Sequence, residues 1–142
     1  MDPKILVPVN DSPTARATVE SIIRNRDRFP KKLTLLYVID KGLLTYKMIP
    51  DIQLDMVKDN ARKTGMSLIE KYSVKLEEAG FELDKLIDFG TPQRVICDLA
   101  EKDGFGLIII GRHERGGQIR NVLFGSVASY VLHNVSCPVL LF

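Results

Sequence analysis

Between Gly111 and Ser126 the chain reads Gly-Arg-His-Glu-Arg-Gly-Gly-Gln-Ile-Arg-Asn-Val-Leu-Phe-Gly-Ser, a run of residue types suited to holding an anion. Glycine lets the backbone turn tightly and come close to a ligand. Gly125-Ser126 falls where a helix is expected to begin, and the free N–H groups and dipole of a helix start favour a phosphate. The Ser126 hydroxyl can add a hydrogen bond, and Arg112, Arg115 and Arg120 supply charge and paired donors. The same residues also suit a glycine-punctuated surface loop with solvated arginines, and spacing alone leaves both readings open. His113, inside the segment, can donate to a phosphate oxygen or simply brace the loop.

The elements that must position this segment follow from hydrophobic periodicity. Ile5-Leu-Val-Pro-Val9 is an unbroken apolar run, as in a strand covered on both faces. Ser12-Pro13 offers an N-cap and a first helical residue. Ala15, Val19, Ile22 and Ile23 form one helix face, which Phe29-Pro30 is expected to end. Leu33 to Ile39 is a second strand, and Lys41 to Pro50 a loop. Asp51 to about Ala79 is a long helix stopped by Gly80, with Gly65 in its middle marking a close contact or a weak point. Met56 and Met66 are expected in its core, and Lys71, Lys75, Glu77 and Glu78 on its solvated face. Phe81 to Phe89 alternates as an edge strand, with Phe81, Leu83, Lys85, Ile87 and Phe89 on one face and Leu86 opposite. Thr91-Pro92 repeats the cap signal before a helix whose inner face is Val95, Ile96, Leu99 and Ala100. Leu107 to Ile110 is the fourth strand, Ser126 to about His133 a short helix, and Pro138 to Phe142 a fifth strand. This alternation predicts an α/β fold with a parallel sheet and helices on both faces. Ligands of such sheets sit beyond the carboxyl ends of the strands where the strand order reverses, here near Asn10 and Gly111.

With 142 residues, one domain spanning 1–142 is expected. A net charge of +2 lacks the basic stripe of a duplex binder, so nucleic acid is not expected as a partner. The apolar run at Ile5–Val9 is too short for a signal peptide, and no stretch approaches the roughly 18 residues of a membrane span, so a cytoplasmic, membrane-free location is expected. Cys97 and Cys137 lack a metal-ligand spacing and read as small core residues. Asp40 and Asp88 fall near strand ends, where such residues more often cap a turn than hold a metal or ribose. His133 near a helix end is accounted for by the dipole.

Ile5-Leu-Val-Pro-Val-Asn-Asp-Ser-Pro13, Tyr37-Val-Ile-Asp40, Gly90-Thr-Pro92, Gly111-Arg-His113, Gly125-Ser-Val127 and Cys137-Pro-Val-Leu140 together resemble the universal stress protein family, in order and across essentially the whole chain. The resemblance implies a Rossmann-like fold of the adenine nucleotide alpha hydrolase type, with a five-stranded parallel sheet of order 3-2-1-4-5. It implies an adenine nucleotide, ATP, with Mg2+ as its accompanying ion. The adenine side would be Pro8, Val9, Asn10 and Val38, and the phosphate side Gly111, Arg112, His113, Gly125 and Ser126. It also implies a homodimer through the edge strand Pro138 to Phe142, an unpaired edge of the kind that associates, and leaves protein partners unnamed.

The chain departs from the family pattern in three places. Asn10 replaces the usual aspartate, and Asp11 should point elsewhere. Glu114 stands at the second glycine of the loop, and the stretch to Gly125 is one residue too long. A carboxylate about 4 Å from a phosphate charge costs about 4 kcal/mol at an effective dielectric near 20, more than the roughly 1.5–3 kcal/mol of a charged hydrogen bond. These departures keep a second reading in play, a degenerate member acting as a dimeric interaction module. No Walker phosphate loop or Gly-x-Ser-x-Gly elbow is present, and no catalytic residue is assigned. At most slow ATP hydrolysis is expected.

Overall fold

The computed structural model describes residues 2–40, 51–112 and 125–142. The strands are β1 (Ile5–Pro8), β2 (Lys32–Asp40), β3 (Glu82–Gly90), β4 (Leu107–Ile110) and β5 (Val139–Leu141), and the helices α1 (Pro13–Arg24), α2 (Asp51–Glu78), α3 (Pro92–Lys102) and α4 (Ser126–Asn134). The strands form one sheet of order β3-β2-β1-β4-β5, every pairing parallel. This is the expected α/β architecture and strand order.

Period-two alternation divides the sheet's side chains between two cores. Ile5, Val7, Leu33, Leu35 and Ile109 meet α1 through Ala15, Val19 and Ile22, and α2 through Ile69, Tyr72 and Leu76. Leu6, Leu36, Ile108 and Ile110 meet α3 through Ile96, Cys97 and Ala100, and α4 through Ala128 and Val131. Each central strand is therefore apolar on both faces, which is why β1 and β4 read as unbroken apolar runs. Burial pushes the Cys97 and Cys137 thiols above their ordinary range, Cys97 helped by the charge of Asp98. Both pack in the second core as small apolar groups. On edge strand β3, Leu83 and Ile87 face the first core while Leu86 lies on the outer face.

Three local expectations are corrected. α1 stops at Arg24, not at Phe29-Pro30. Asn25 Nδ2 donates to the Ser21 carbonyl at 2.8 Å, and the polar run that follows has nothing to bury. A 3-10 turn, Arg26–Arg28, then delivers Phe29 to the first core. Thr91 occupies the N-cap of α3 without a side-chain cap bond, and its carbonyl accepts from Arg94 and Val95 at 3.0 Å instead. Met56 and Met66 are 62% and 42% exposed rather than core. The inward stripe of α2 runs through Gly65, Ile69, Tyr72 and Leu76, and at about 100° per residue Met56 falls on the far side from Gly65. Gly65 does mark a close contact, since a β-carbon there would lie 2.7 Å from the Tyr37 ring. Gly80 has φ +100°, the left-handed turn that ends α2. The 41–50 loop, with Met48, lies outside the described residues.

Candidate functional site

β1 sits between β2 and β4, so the strand order reverses beside it. The register pairs Pro8 with Leu36 and Leu6 with Ile108. Continued along parallel strands, it sets Val38 beside Asn10 and Gly111 beside Val9. Pro8, Val9, Asn10, Val38, Gly111 and Arg112 thus share one end of the sheet. α4 packs on the second core and leads into β5. A helix that returns the chain to a parallel strand runs against the strand direction, which puts Gly125 and Ser126 at the same end. His113, Glu114, Arg115 and Arg120 lie outside the described residues.

The turn after β1 is held from several sides. The Val9 N–H donates to the Leu36 carbonyl at 2.8 Å. Ser12 Oγ donates to Asn10 Oδ1 at 2.5 Å and accepts from the Ala15 N–H at 3.1 Å, capping α1. The Tyr72 hydroxyl of α2 donates to the Asn10 carbonyl at 2.9 Å. Burial pushes the Tyr72 phenol upward, against the pull of Arg16 and with a smaller push from Asp11, so it remains a donor. Asn10 itself is exposed, its side-chain oxygen occupied by Ser12 and its amide hydrogens without an acceptor among the described residues. Asp11 turns toward α1 and pairs with Arg16 at 3.0 Å.

Gly111 is explained by packing rather than by a tight turn. It has no positive φ. A β-carbon there would fall within the shell of Thr18 Oγ1 and 2.5 Å from Thr14 Cγ2, both on α1. The neighbouring Arg112 N–H donates to the Phe142 carbonyl at 2.9 Å, tying the strand end to β5. Gly125 caps α4 in an extended conformation with no side-chain cap bond, and Ser126 is the first helical residue. Among the described residues no side chain caps the opening N–H groups of α4, since Gly125 at the N-cap has none to offer, the condition that suits an anion.

The remaining candidates sit at or near the ends of elements. Asp88 Oδ1 accepts from the Phe89 N–H at 2.8 Å. His133 is exposed and its Nδ1 lies 2.7 Å from the Ser129 carbonyl in the last turn of α4. Asp40 ends β2 opposite Gly90. Among the described residues no cluster of three or more His, Cys, Asp or Glu side chains could hold a metal, and no helix is long and apolar enough to cross a membrane.

Sequence reasoning missed a second feature. A cavity of about 840 Å³ opens between α1 and α2, bordered by Asp11, Arg16, Tyr37, Lys63, Lys71 and Tyr72 among others. None of the strand-end residues lines it. Its signal was the recurrence of Lys63, Ser67, Lys71 and Lys75 at every fourth residue, a stripe that reads as a plain solvated face until α1 is placed across from it.

The comparisons agree with this architecture. A universal stress protein of Methanocaldococcus jannaschii is 26% identical over 150 residues, covering 96% of this chain and 92% of the relative. Its solved structure matches with a TM-score of 0.81 at 28% identity, over 99% of this chain and 95% of that one. A universal stress protein of Bacillus subtilis is 23% identical over 144 residues, 97% of each chain. A family protein of Arabidopsis thaliana, solved with AMP bound, shares the fold with a TM-score of 0.68 at 21% identity, over 99% of this chain and 91% of that one. The family model matches residues 1–142. With the sheet order also in agreement, the chain belongs to the universal stress protein family.

Proposed function

We propose that this chain is a single-domain regulatory module that binds an adenine nucleotide, ATP, at the carboxyl ends of β1 and β4. The observation that carries the reading is the meeting of the Asn10 turn, the Gly111 strand end and the glycine-capped start of α4 at one end of the sheet, where the strand order reverses. Pro8, Val9, Asn10 and Val38 would border the base. Gly111, Arg112, His113, Gly125 and Ser126 would serve the phosphates, with Mg2+ carried on the phosphates rather than in a protein cage. The AMP held by the Arabidopsis protein supports the ligand class, although the likeness is one of fold. Binding would act by linkage, stabilising the state that holds the nucleotide, rather than by rapid chemistry. We place the protein in the cytoplasm as a homodimer joined through Pro138 to Phe142.

A second reading, a dimeric interaction module without nucleotide, is favoured by one observation. Asn10 Oδ1 is already taken by Ser12, and no carboxylate replaces the family's aspartate there. Calorimetric titration of nucleotide-stripped protein with ATP and magnesium separates the two. Saturable micromolar binding is expected, weakened about tenfold by Ser126→Ala, the loss of one hydrogen bond to a charged group. No heat at millimolar ATP, with an unchanged melting temperature, overturns the nucleotide reading and leaves the interaction module.

A further inference from the structure

We propose that the cavity between α1 and α2 is a second binding site, one that takes small organic anions with an apolar body. Its size, about 840 Å³, is that of a site for a drug-sized molecule. One wall is the α2 stripe of Lys63, Ser67, Lys71 and Lys75, which rises about 18 Å along the helix. Arg16 of α1 and the ring of Tyr37 from β2 stand across from it. Leu68 and Val74 add apolar surface, and Val74 is 52% exposed despite its chemistry.

The charge is mostly of one sign. Among the described residues that border the cavity, Arg16, Lys63, Lys71 and Lys75 face a single carboxylate, Asp11. Among the described residues Asp11 pairs only with Arg16, and both partners are half or more exposed, so that bond is weak and leaves Arg16 with further donors. Among the described residues Lys63, Lys71 and Lys75 form no ion pair. Glu70, the nearest carboxylate in sequence to Lys71, is held by Lys85 of β3 at 2.7 Å. Lys71 and Lys75 are like charges four residues apart on a helix, an arrangement that is unfavourable alone and that an anion relieves. An anionic head between Lys71, Lys75 and Arg16, with an apolar body on Tyr37 and Leu68, satisfies both the charge and the lining.

The test uses 8-anilinonaphthalene-1-sulfonate as an anionic probe and N-phenyl-1-naphthylamine as its uncharged counterpart, titrated by fluorescence into the whole protein. One saturable anion site is expected, with a Kd raised about tenfold by Lys71→Gln/Lys75→Gln and by raised salt, while the neutral probe responds little to the same change. Both lysines are exposed, so the variant should fold. Ser67→Trp, which fills the groove, should abolish binding of both probes. Ser126→Ala should leave the anion isotherm unchanged, whatever becomes of ATP. An isotherm insensitive to the lysines or to Ser67→Trp overturns the proposal, as does binding lost with Ser126→Ala.

Discussion

Gly111 carries a constraint that its place in a ligand-binding motif does not reveal. A β-carbon there collides with Thr14 and Thr18, the latter already fixed by its 2.8 Å bond to the Thr14 carbonyl. Gly111→Ala is therefore expected to lower stability by about 1–3 kcal/mol, the range for overpacking a filled core. Urea unfolding checks this, and Thr14→Ala/Thr18→Ala should return much of the loss because it removes the two side chains in the way. An alanine as stable as glycine in the natural background would show that β4 and α1 can part freely. Asn10 was legible in sequence as a substituted position. Its bonds to Ser12 and Tyr72 were not, because Tyr72 is 62 residues away and arrives only with α2.

The helix α2 sets two local forces against each other. Alanine in place of a mid-helix glycine gains about 1 kcal/mol of helix propensity. At Gly65 that gain meets the Tyr37 ring at 2.7 Å. Gly65→Ala should destabilise the natural chain yet stabilise a Tyr37→Ala background by up to about 1 kcal/mol, so the sign reverses between the two thermal melts. The same sign in both would remove the packing explanation. Element positions were largely readable, because strand runs and helix stripes are properties of consecutive residues. Element ends and faces were less so. The end of α1 depends on Asn25 bonding back to Ser21 and on what the next polar residues can bury. Met56 and Met66 were misjudged because an apolar type does not say which stripe the sheet will cover.

At the scale of the molecule, β5 is an edge strand of the sheet, with no neighbour beyond it among the described residues. Phe142 directs both its N–H and its carbonyl at β4, toward Ile110 and Arg112. Neighbouring residues of a parallel strand alternate in this respect, so Leu141 turns its backbone groups outward, where the proposed partner copy would bind. Leu141→Pro removes that outward donor without removing a bond to β4. Sedimentation should then show a dimer become a monomer with unchanged circular dichroism, and a persistent dimer would place the contact elsewhere. The sequence by itself determined the alternating elements, the apolar central strands and the Ser12-capped turn after β1, since these rest on local periodicity and turn chemistry. Only the tertiary structure decided that Gly111 makes room for α1, that Tyr72 holds the Asn10 turn, and that the lysines of α2 face Arg16 across a cavity. Those facts depend on surfaces from distant parts of the chain meeting, and burial, steric exclusion and summed charge exist only once they meet.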